Sequence, residues 1–318
     1  MADNGHPSVR GHLREWLKAI GLALGILVLL HLFVLRWVTV RHTSMYATLL
    51  PGDLVGVERW RVWTGFERGD IVVFRDPVQD DRSLSSRQLL VKRLVGLPGD
   101  TVQLKAGALF VNGEEIAPAK GESHRHLVRL RGTADPEALR QQLQLPLAFF
   151  PPGRSTLELP LSKVQADSLR ERKDIVSVEP MSPSTGAPGH IFPYSPNFRW
   201  NNDRFGPLTV PAKGDTLRID VANFPLYDRL ISRYEGHSPT HDGRRIVLDG
   251  VPLEQYVVER DYVFVLGDAR DHSADSRYWG FVPMDHLVGR AGFVLLGQNE
   301  EGGLRSGRWF VGLGRQGD

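Results

Sequence analysis

The sequence predicts a mainly β protein in which an N-terminal transmembrane helix precedes an antiparallel β-barrel or coiled sheet that contains a small mixed insert. Three observations support this fold class. One apolar run near the N-terminus carries no charge, many short apolar segments end in Gly-Asp or Pro-Gly turns, and one segment rich in Pro, Arg and Ser interrupts them. With 41% hydrophobic and 24% charged residues, the 318-residue chain has an ordinary globular composition.

The N-terminal region has the charge pattern of a membrane anchor. Basic residues outnumber acidic ones in the polar residues 1–18, and residues 19–35 (AIGLALGILVLLHLFVL) carry no charge. With Lys18 and Arg36 reaching toward the interface, this run predicts a transmembrane helix over 19–36. The alternative is a cleaved secretory signal peptide, whose apolar region is usually about 7–15 residues long. The basic flank predicts a cytoplasmic N-terminal tail.

A β-rich domain is predicted over residues 37–117 and 203–297. Segments such as 54–57 (LVGV), 71–74 (IVVF) and 89–95 (LLVKRLV) are short, apolar and bounded by Gly-Asp, Pro-Gly or Asn-Gly turns. Closely spaced strands with tight turns and little helical periodicity are typical of an antiparallel barrel or coiled sheet.

Residues 118–202 differ in composition and are predicted to form an insert or accessory subdomain. Two short helices are expected within them. One begins at Asp135-Pro136, because aspartate is a good N-cap and proline suits the first helical position, and the other covers residues 162–173. The Gly-rich residues 298–318 are predicted to be a peripheral C-terminal tail.

Composition and spacing exclude several functions. The formal net charge is only +2 and no Lys/Arg cluster resembles a DNA-binding surface, so no nucleic-acid partner is predicted. The chain has no cysteine, which excludes disulfides, thiolate nucleophiles and cysteine metal sites. The histidines lack tight ligand spacing with carboxylates and no Gly-rich phosphate motif occurs, so we expect neither a metal nor another cofactor.

Ser44 and Lys92 form the pair whose sequence setting suggests chemistry. Ser44 follows the apolar run closely, and strand alternation puts Lys92 on the same face as Leu90 and Leu94. Loss of hydration there would lower the pKa of the amine from about 10.4, and a neutral amine can serve as the base for a serine hydroxyl. A shift of three units needs roughly 4 kcal/mol. The alternative is an edge-strand lysine whose amine reaches water.

Four stretches carry motifs, in this order: residues 44–53 (SMYATLLPGD), 68–74 (RGDIVVF), 91–100 (VKRLVGLPGD) and 267–280 (GDARDHSADSRYWG). They resemble the nucleophile motif, a strand motif, the general-base motif and the third signature of the type I signal peptidases, also called leader peptidases. Their order, their spacing and the preceding apolar run also agree with that family. The resemblance covers about residues 37–104 and 262–296 and leaves the insert unmatched.

The resemblance implies roles for the matching residues. Ser44 would be the nucleophile and Lys92 the general base of a Ser/Lys dyad, and Ser273 would orient the Lys92 amine through a hydrogen bond. The third signature would also shape the site through an Asp275–Arg277 clamp and through Asp268, Arg270 and Asp271.

Two positions depart from the family pattern. The residue two places before the family's nucleophile often supplies a hydroxyl to the oxyanion, whereas here it is His42. Either the His42 imidazole or Thr43 is therefore expected to act beside the Ser44 N–H as the second oxyanion donor. Ala47 stands where the family usually has proline, so the turn after the serine is expected to be looser.

The resemblance also implies a substrate site, and a group of aromatic residues indicates a membrane surface. The residues implied to line pockets for small side chains, or alternatively to belong to the core, are Val40, Met45, Leu49, Leu90 and Val91. The aromatic residues expected either on lipid or in the core are Trp37, Trp60, Trp63 and Phe66.

The implied function is that of a single-pass serine endopeptidase that cleaves N-terminal signal peptides from translocated precursor proteins after small residues. Its catalytic domain would lie on the extracytoplasmic (periplasmic) side of the cytoplasmic (inner) membrane. Secretory precursors, membrane lipid and the protein-translocation machinery are the expected partners. Alternatives are a self-cleaving SOS-repressor protease, whose family lacks an anchor, and a catalytically impaired, membrane-anchored relative that binds precursors without cutting.

Overall fold

A computed structural model describes residues 9–181 and 191–315 of the chain. The strands of this part are, in chain order, β1 (Leu35–Thr39), β2 (Asp53–Glu58), β3 (Ile71–Arg75), β4 (Leu89–Gly96), β5 (Thr101–Lys105), β6 (Ala108–Val111), β7 (Glu114–Glu115), β8 (Ser123–Leu130), β9 (Thr156–Ser162), β10 (Ile175–Pro180), β11 (Phe205–Thr209), β12 (Thr216–Arg218), β13 (Thr240–His241), β14 (Ile246–Leu248), β15 (Val251–Pro252), β16 (Gln255–Val257), β17 (Tyr262–Leu266), β18 (Val282–Pro283), β19 (Leu287–Gly297) and β20 (Val311–Gly312). The prediction of a mainly β fold is confirmed.

Helices are few and mostly short in the same residues. The α-helices are α1 (Val9–Leu29), α2 (Arg61–Thr64), α3 (Pro136–Leu143), α4 (Lys163–Arg170), α5 (Phe224–Arg229) and α6 (Ser276–Trp279). Single 3₁₀ or π-helical turns lie at Leu30–Val34, Leu84–Ser86, Leu147–Phe149, Leu230–Tyr234, Arg270–His272 and Met284–His286.

An antiparallel main sheet carries the predicted active-site strands. Its order is β1-β2-β19-β3-β4-β17-β18, and β20 also pairs with β19. Within the described residues β1 pairs with β2 alone, so its other edge is open. The first part of β4 pairs with β3 alone, because its pairing with β17 begins only at Arg93. The β1-β2-β19-β3-β4 part of the sheet therefore has an open edge at each end, one on β1 and one on the first part of β4.

The insert, residues 118–202, contains its own small sheet with two helices. Its strands pair in the order β10-β8-β9. α3 begins as predicted, with the Asp135 carboxylate accepting the Glu137 N–H (2.9 Å) and Pro136 in the first turn. α4 begins after Ser162, whose side chain and that of Gln165 form a reciprocal capping box.

The segment between β1 and β2 contributes side chains to two apolar cores. Met45 and Leu49 are buried in the core of the main sheet with residues such as Val57 and Ile71. Tyr46 and Leu50 instead belong to the core of the insert. The other buried residues of that core are Val128, Leu130, Leu139, Leu143, Leu145, Phe150, Leu157, Leu159, Leu161, Ala166, Leu169, Ile175 and Val178, with Ala269. This segment thus joins the main sheet to the insert.

The predicted transmembrane helix over 19–36 does not have those bounds. α1 begins ten residues earlier, at Val9, and includes charged residues of the predicted tail, among them Glu15 and Lys18, which form an exposed ion pair. After α1 the chain makes a π-helical turn and enters β1, whose aromatic and β-branched residues favour an extended backbone. In the described part of the chain no helix is both long and apolar enough to span a membrane. Residues 1–8 of the predicted tail lie outside the described residues.

The C-terminal segment is not peripheral, in contrast to the prediction. β20 adds to β19 in the main sheet, and Arg308 forms an ion pair with the fully buried carboxylate of Asp53. Arg305 donates to the Pro51 carbonyl at 2.7 Å. The segment therefore supports the chain just before β2, close to the predicted nucleophile motif.

Candidate active site

Ser44 lies in a short turn that we call the Ser44 loop (residues 41–52). The loop is closed by backbone hydrogen bonds, from the Val40 N–H to the Asp53 carbonyl and from the Gly52 N–H to the Val40 carbonyl, both at 2.8 Å. Met45 is buried in the main-sheet core, and this holds the preceding residue, Ser44, near the surface of that core. Ser44 is half-buried and borders a cleft.

Lys92 reaches Ser44 from strand β4. Its Nζ is 2.7 Å from Ser44 Oγ and donates to the Val91 carbonyl at 3.1 Å. The residue is 4% exposed, so the alternative of an edge lysine that reaches water is wrong. Within the described residues no carboxylate lies within 4.0 Å of the amine. Burial lowers the pKa of Lys92 to about 8, against the opposing charges of Asp275, Asp268 and Asp76.

Asp268 of the third motif connects three parts of the site. Its carboxylate accepts two hydrogen bonds from Arg93, at 2.8 and 2.7 Å, and one from the Thr48 hydroxyl at 2.5 Å. Its backbone carbonyl accepts the Ser123 N–H of the insert at 2.8 Å. Arg93 and Asp268 are both almost fully buried, so this bidentate pair fixes the third motif to β4.

Asp275 and Arg277 form the predicted pair inside the third-motif loop (residues 267–280). The guanidinium donates to the carboxylate at 2.9 and 2.8 Å, and Asp275 also accepts the Gly267 N–H at 3.0 Å. Burial opposes ionisation of Asp275, but the adjacent Arg277 brings its pKa below the usual value. Arg277 further donates to the Asn202 and Arg270 carbonyls, so the pair holds the loop in place.

The third-motif loop lies against the backbone of Ser44. The Ala269 N–H donates to the Ser44 carbonyl at 3.1 Å. A side chain at Gly267 would come within 2.1 Å of Ser273 Oγ and 2.6 Å of the Ser44 carbonyl oxygen, which accounts for glycine there. The Ser273 hydroxyl donates to the Ala274 carbonyl at 3.4 Å, and in the described residues it makes no hydrogen bond to Lys92. Its predicted orienting role therefore stays a prediction.

The cleft beside Ser44 has a volume of about 340 Å³ and runs between two strand edges. One wall is formed by residues 36–42 and the other by residues 88–92. β1 and β4 are separated in the sheet by three strands, so the sheet must curl for both to border one cleft. The predicted site residues that line it are His42, Ser44, Lys92, Val40, Met45, Leu90 and Val91.

Other predicted site residues lie elsewhere. Leu49 is fully buried in the main-sheet core and does not line the cleft, and Thr43 does not line it either. Arg270 forms a buried ion pair with Glu122 at 2.6 Å, and the Asp271 carboxylate accepts the Arg125 N–H at 2.7 Å. Both therefore connect the third motif to the insert.

Sequence reasoning missed the contribution of the insert and of Tyr46. The Ala47 N–H donates to the Gly121 carbonyl at 3.1 Å, a bond that a proline at position 47 could not make. The Ser123 hydroxyl donates to the Tyr46 carbonyl at 2.9 Å. No motif in the sequence signals these contacts. Among the described residues, no three His, Asp or Glu side chains are grouped so as to hold a metal ion.

Comparisons with known proteins agree with the motifs. The family described as signal peptidase, peptidase S26, matches residues 13–153 and 207–296, which is more than half of the chain. Signal peptidase I of Bacillus licheniformis is 36% identical over 118 residues, or 37% of this chain and 60% of that protein. Signal peptidase I P of Bacillus subtilis subsp. natto is 34% identical over 133 residues, or 40% of this chain and 68% of that protein. The chain thus spans 60% of the length of the first relative and 68% of the second.

A crystal structure of a signal peptidase I from Enterococcus faecalis V583 also matches. It is 19% identical and the match covers 71% of this chain and 96% of that one, with a TM-score of 0.25. A score this low supports no argument about the fold.

Proposed function

This chain belongs to the signal peptidase family, peptidase S26, and we propose that it is a serine endopeptidase that cleaves signal peptides from translocated precursor proteins. Ser44 is the nucleophile and Lys92 the general base. The observation that carries the proposal is the 2.7 Å distance from Lys92 Nζ to Ser44 Oγ, with the amine buried and without a carboxylate partner in the described residues.

The depressed pKa makes Lys92 a usable base. With a pKa of about 8, about one amine in ten is neutral at pH 7, against about one in three thousand for an ordinary lysine. In the neutral form Ser44 Oγ–H donates to the Nζ lone pair. Arg93, the next residue, cannot take this role because a guanidinium is not deprotonated in proteins.

The reaction then follows from the positions of these two groups. Ser44 Oγ attacks the scissile carbonyl carbon while its proton passes to Lys92 Nζ, and the resulting ammonium protonates the leaving amine as the C–N bond breaks. A water molecule then adds to the Ser44 ester, giving its proton to Lys92. The ester C–O bond breaks, the proton on Lys92 returns to Ser44, and the signal peptide leaves as a carboxylic acid that ionises in water.

Two groups support stabilisation of the tetrahedral intermediate. The Ser44 N–H makes no hydrogen bond to any other described residue, so it is free to donate to an oxyanion. His42 is exposed and lines the cleft with Ser44, whereas Thr43 does not line it. We therefore assign the second oxyanion donor to the His42 imidazole.

The cleft suits an extended peptide with small side chains. Its two walls are the open edges of β1 and β4, which can pair with a substrate strand through backbone hydrogen bonds. Val40, Met45, Leu90 and Val91 supply apolar surface close to Ser44. In agreement with the family that the motifs resemble, substrates are cleaved after small residues such as alanine.

A membrane location is part of the proposal. Apolar side chains along α1, such as Trp16 and Leu24, are exposed on the chain by itself. Trp37, Trp60 and Trp63 are exposed as well, whereas Phe66 packs partly against the core. Such aromatic residues favour the lipid interface. We infer that the exposed apolar side chains of α1 and these tryptophans contact lipid, with the catalytic domain on the extracytoplasmic side, where precursors leave the translocation machinery.

The test is cleavage of a purified secretory precursor in detergent by the full chain. The wild type is expected to release mature protein, cut after a small residue as read by mass spectrometry. Ser44→Ala and Lys92→Ala should leave the precursor intact, because they remove the nucleophile and the base. Ser155→Ala and Lys213→Ala, which change an exposed serine and an exposed lysine, serve as matched controls and should cleave normally.

Two outcomes would contradict the proposal. If the wild type leaves the precursor uncut, the chain is a binding relative and not a peptidase. If Lys92→Ala cuts as fast as the wild type, Lys92 is not the base.

A further inference from the structure

The start of β8 lies between the two halves of the proposed active site. Three residues, 121–123, which we call the bridge segment, contact both the Ser44 loop and the third-motif loop. On one side Gly121 accepts the Ala47 N–H at 3.1 Å and the Ser123 hydroxyl donates to the Tyr46 carbonyl at 2.9 Å. On the other side the Ser123 N–H donates to the Asp268 carbonyl at 2.8 Å.

The bridge segment is closely packed against its neighbours. Ser123 is fully buried, and a side chain at Gly121 would meet Thr48 Oγ1 at 2.1 Å and the Thr48 backbone nitrogen at 2.8 Å. Glu122 and Arg270 form their ion pair with both side chains almost fully buried. Loss of any of these contacts would therefore leave a buried polar group without its partner or force the neighbouring chain to move.

Tyr46 extends this connection into the centre of the insert. Its side chain is fully buried, its hydroxyl donates to the Leu143 carbonyl at the end of α3 (2.7 Å), and it accepts from Gln165 Nε2 in the first turn of α4 (2.8 Å). Burial raises the pKa of Tyr46, so the hydroxyl keeps its proton for this bond. A phenylalanine at position 46 would fill the core equally well. The two hydrogen bonds of the hydroxyl therefore fix where the Tyr46 side chain lies and do not improve its packing.

The Ser44 loop is therefore held from two directions. Met45 is anchored in the main sheet, which also carries Lys92, whereas Tyr46 is anchored in the insert. Ser44 directly precedes these two anchors, so the distance between its Oγ and Lys92 Nζ depends on both. An error of about 1 Å in such a geometry can reduce a rate by about a hundredfold.

We propose that the insert is a positioning element of the active site. Tyr46 of the Ser44 loop and Ser123 of the insert are the positioning residues, and their contacts hold Ser44 within hydrogen-bond distance of Lys92. The inference rests on the proposed function. It assigns the insert a role in the chemical step that does not require contact between the insert and the substrate.

The experiment compares Tyr46→Phe, Ser123→Ala and the double variant with the wild type, using the full chain in detergent. We expect kcat to fall about tenfold for each single variant and further for the double variant, with KM within about twofold of the wild type. Asn223→Ala is the matched control, since it removes hydrogen bonds of Asn223 to the Asp220 N–H and the Arg218 carbonyl, which lie outside both the insert and the Ser44 loop. It should lower the melting temperature to a similar extent and leave kcat unchanged.

The pH profile separates positioning from general loss of stability. Lys92 is faced by Asp76 after β3 and by Asp268, Asp275 and Arg277 from the third-motif loop. None of these is altered in the variants. A loosened Ser44 loop admits water to the amine, so the acidic limb of kcat/KM should move from about pH 8 to a higher pH in Tyr46→Phe and Ser123→Ala only.

The outcomes distinguish this inference from the proposed function. If the wild type cleaves but kcat and the pH profile are the same in all variants, the insert does not position Ser44. The same conclusion follows if Asn223→Ala loses activity in parallel with the others. If the wild type itself does not cleave, the proposed function fails, and this inference fails with it.

Discussion

Lys92 and Arg93 are neighbours on β4, and each is 4% exposed, yet their surroundings are opposite. Arg93 faces Asp268 through two hydrogen bonds and donates a third to the Gly69 carbonyl at 2.7 Å. Lys92 contacts only neutral oxygens, Ser44 Oγ and the Val91 carbonyl, in the described part of the chain. One strand therefore places a paired cation on one face and an unpaired amine on the other.

The difference explains why one residue supports the fold and the other can support chemistry. A buried guanidinium with a bidentate carboxylate keeps its charge and fixes geometry. A buried ammonium without such a partner is destabilised relative to the neutral amine, which lowers its pKa. Had Asp268 lain on the Lys92 face, its charge would have kept the amine protonated and unable to accept a proton from Ser44.

The largest effect is expected from Lys92→Met, which removes the base but keeps most of the side-chain volume. Cleavage should fall by more than about a thousandfold, because the serine loses its proton acceptor. The unfolding free energy at pH 7 should not fall, since the variant removes an unpaired buried charge. Precursor cleavage and urea unfolding measure the two quantities.

Arg93→Met is the matched variant on the other face of the strand. It leaves the Asp268 carboxylate buried and unpaired, so stability should fall by about 3–5 kcal/mol in urea unfolding. If Lys92→Met were instead the destabilised variant and Arg93→Met the stable one, the assignment of structural and chemical roles to the two faces would be reversed.

The two faces could be predicted from the sequence, because strand alternation is a local property. The period of two puts Lys92 and Arg93 on opposite sides of β4, and in the structure the two side chains bond to different partners, Ser44 and Asp268. The helix start at Asp135 could be predicted for the same reason, since a cap depends on residues two positions apart.

Contacts between distant segments could not be predicted. Ser123 and Tyr46 are 77 positions apart and meet through a backbone carbonyl, which every residue carries, so side-chain type gives no signal. The ion pair of Arg308 with Asp53 spans 255 positions and connects the supposed tail to the first residue of β2, directly after the Ser44 loop. Leu49 was assigned to the substrate pocket because it is apolar and near Ser44, but its N–H bonds to the Met45 carbonyl and its side chain enters the core.

A smaller effect is expected in the pH dependence of stability, which isolates the Lys92 charge. Its folded-state pKa of about 8 lies below the value of 10.5 for the unfolded chain, so between these values the unfolded state binds more protons. The burial penalty is fully present below about pH 8 and disappears as the pH rises toward 10.5. The wild type should therefore gain up to about 3 kcal/mol relative to Lys92→Met over this range.

Urea unfolding of both proteins at pH 7 and pH 10 measures that gain, and the difference between them removes the contribution of other titrating groups. A stability difference that stays constant with pH would mean that the Lys92 pKa is close to its ordinary value. The amine would then be mostly protonated at neutral pH, in the same way as the permanently charged Arg93.

The smallest effect is expected for His42→Ala, which tests the side of the cleft that carries no buried charge. If the imidazole donates to the oxyanion, kcat should fall by about tenfold to a hundredfold with KM little changed, because the bond forms in the transition state. Arg41→Ala is the matched control, since Arg41 is also exposed and lines the cleft one residue earlier. It should alter KM but not kcat. Equal losses of kcat in both variants would assign the second donor elsewhere and leave the Ser44 N–H as the one donor supported by the loop geometry.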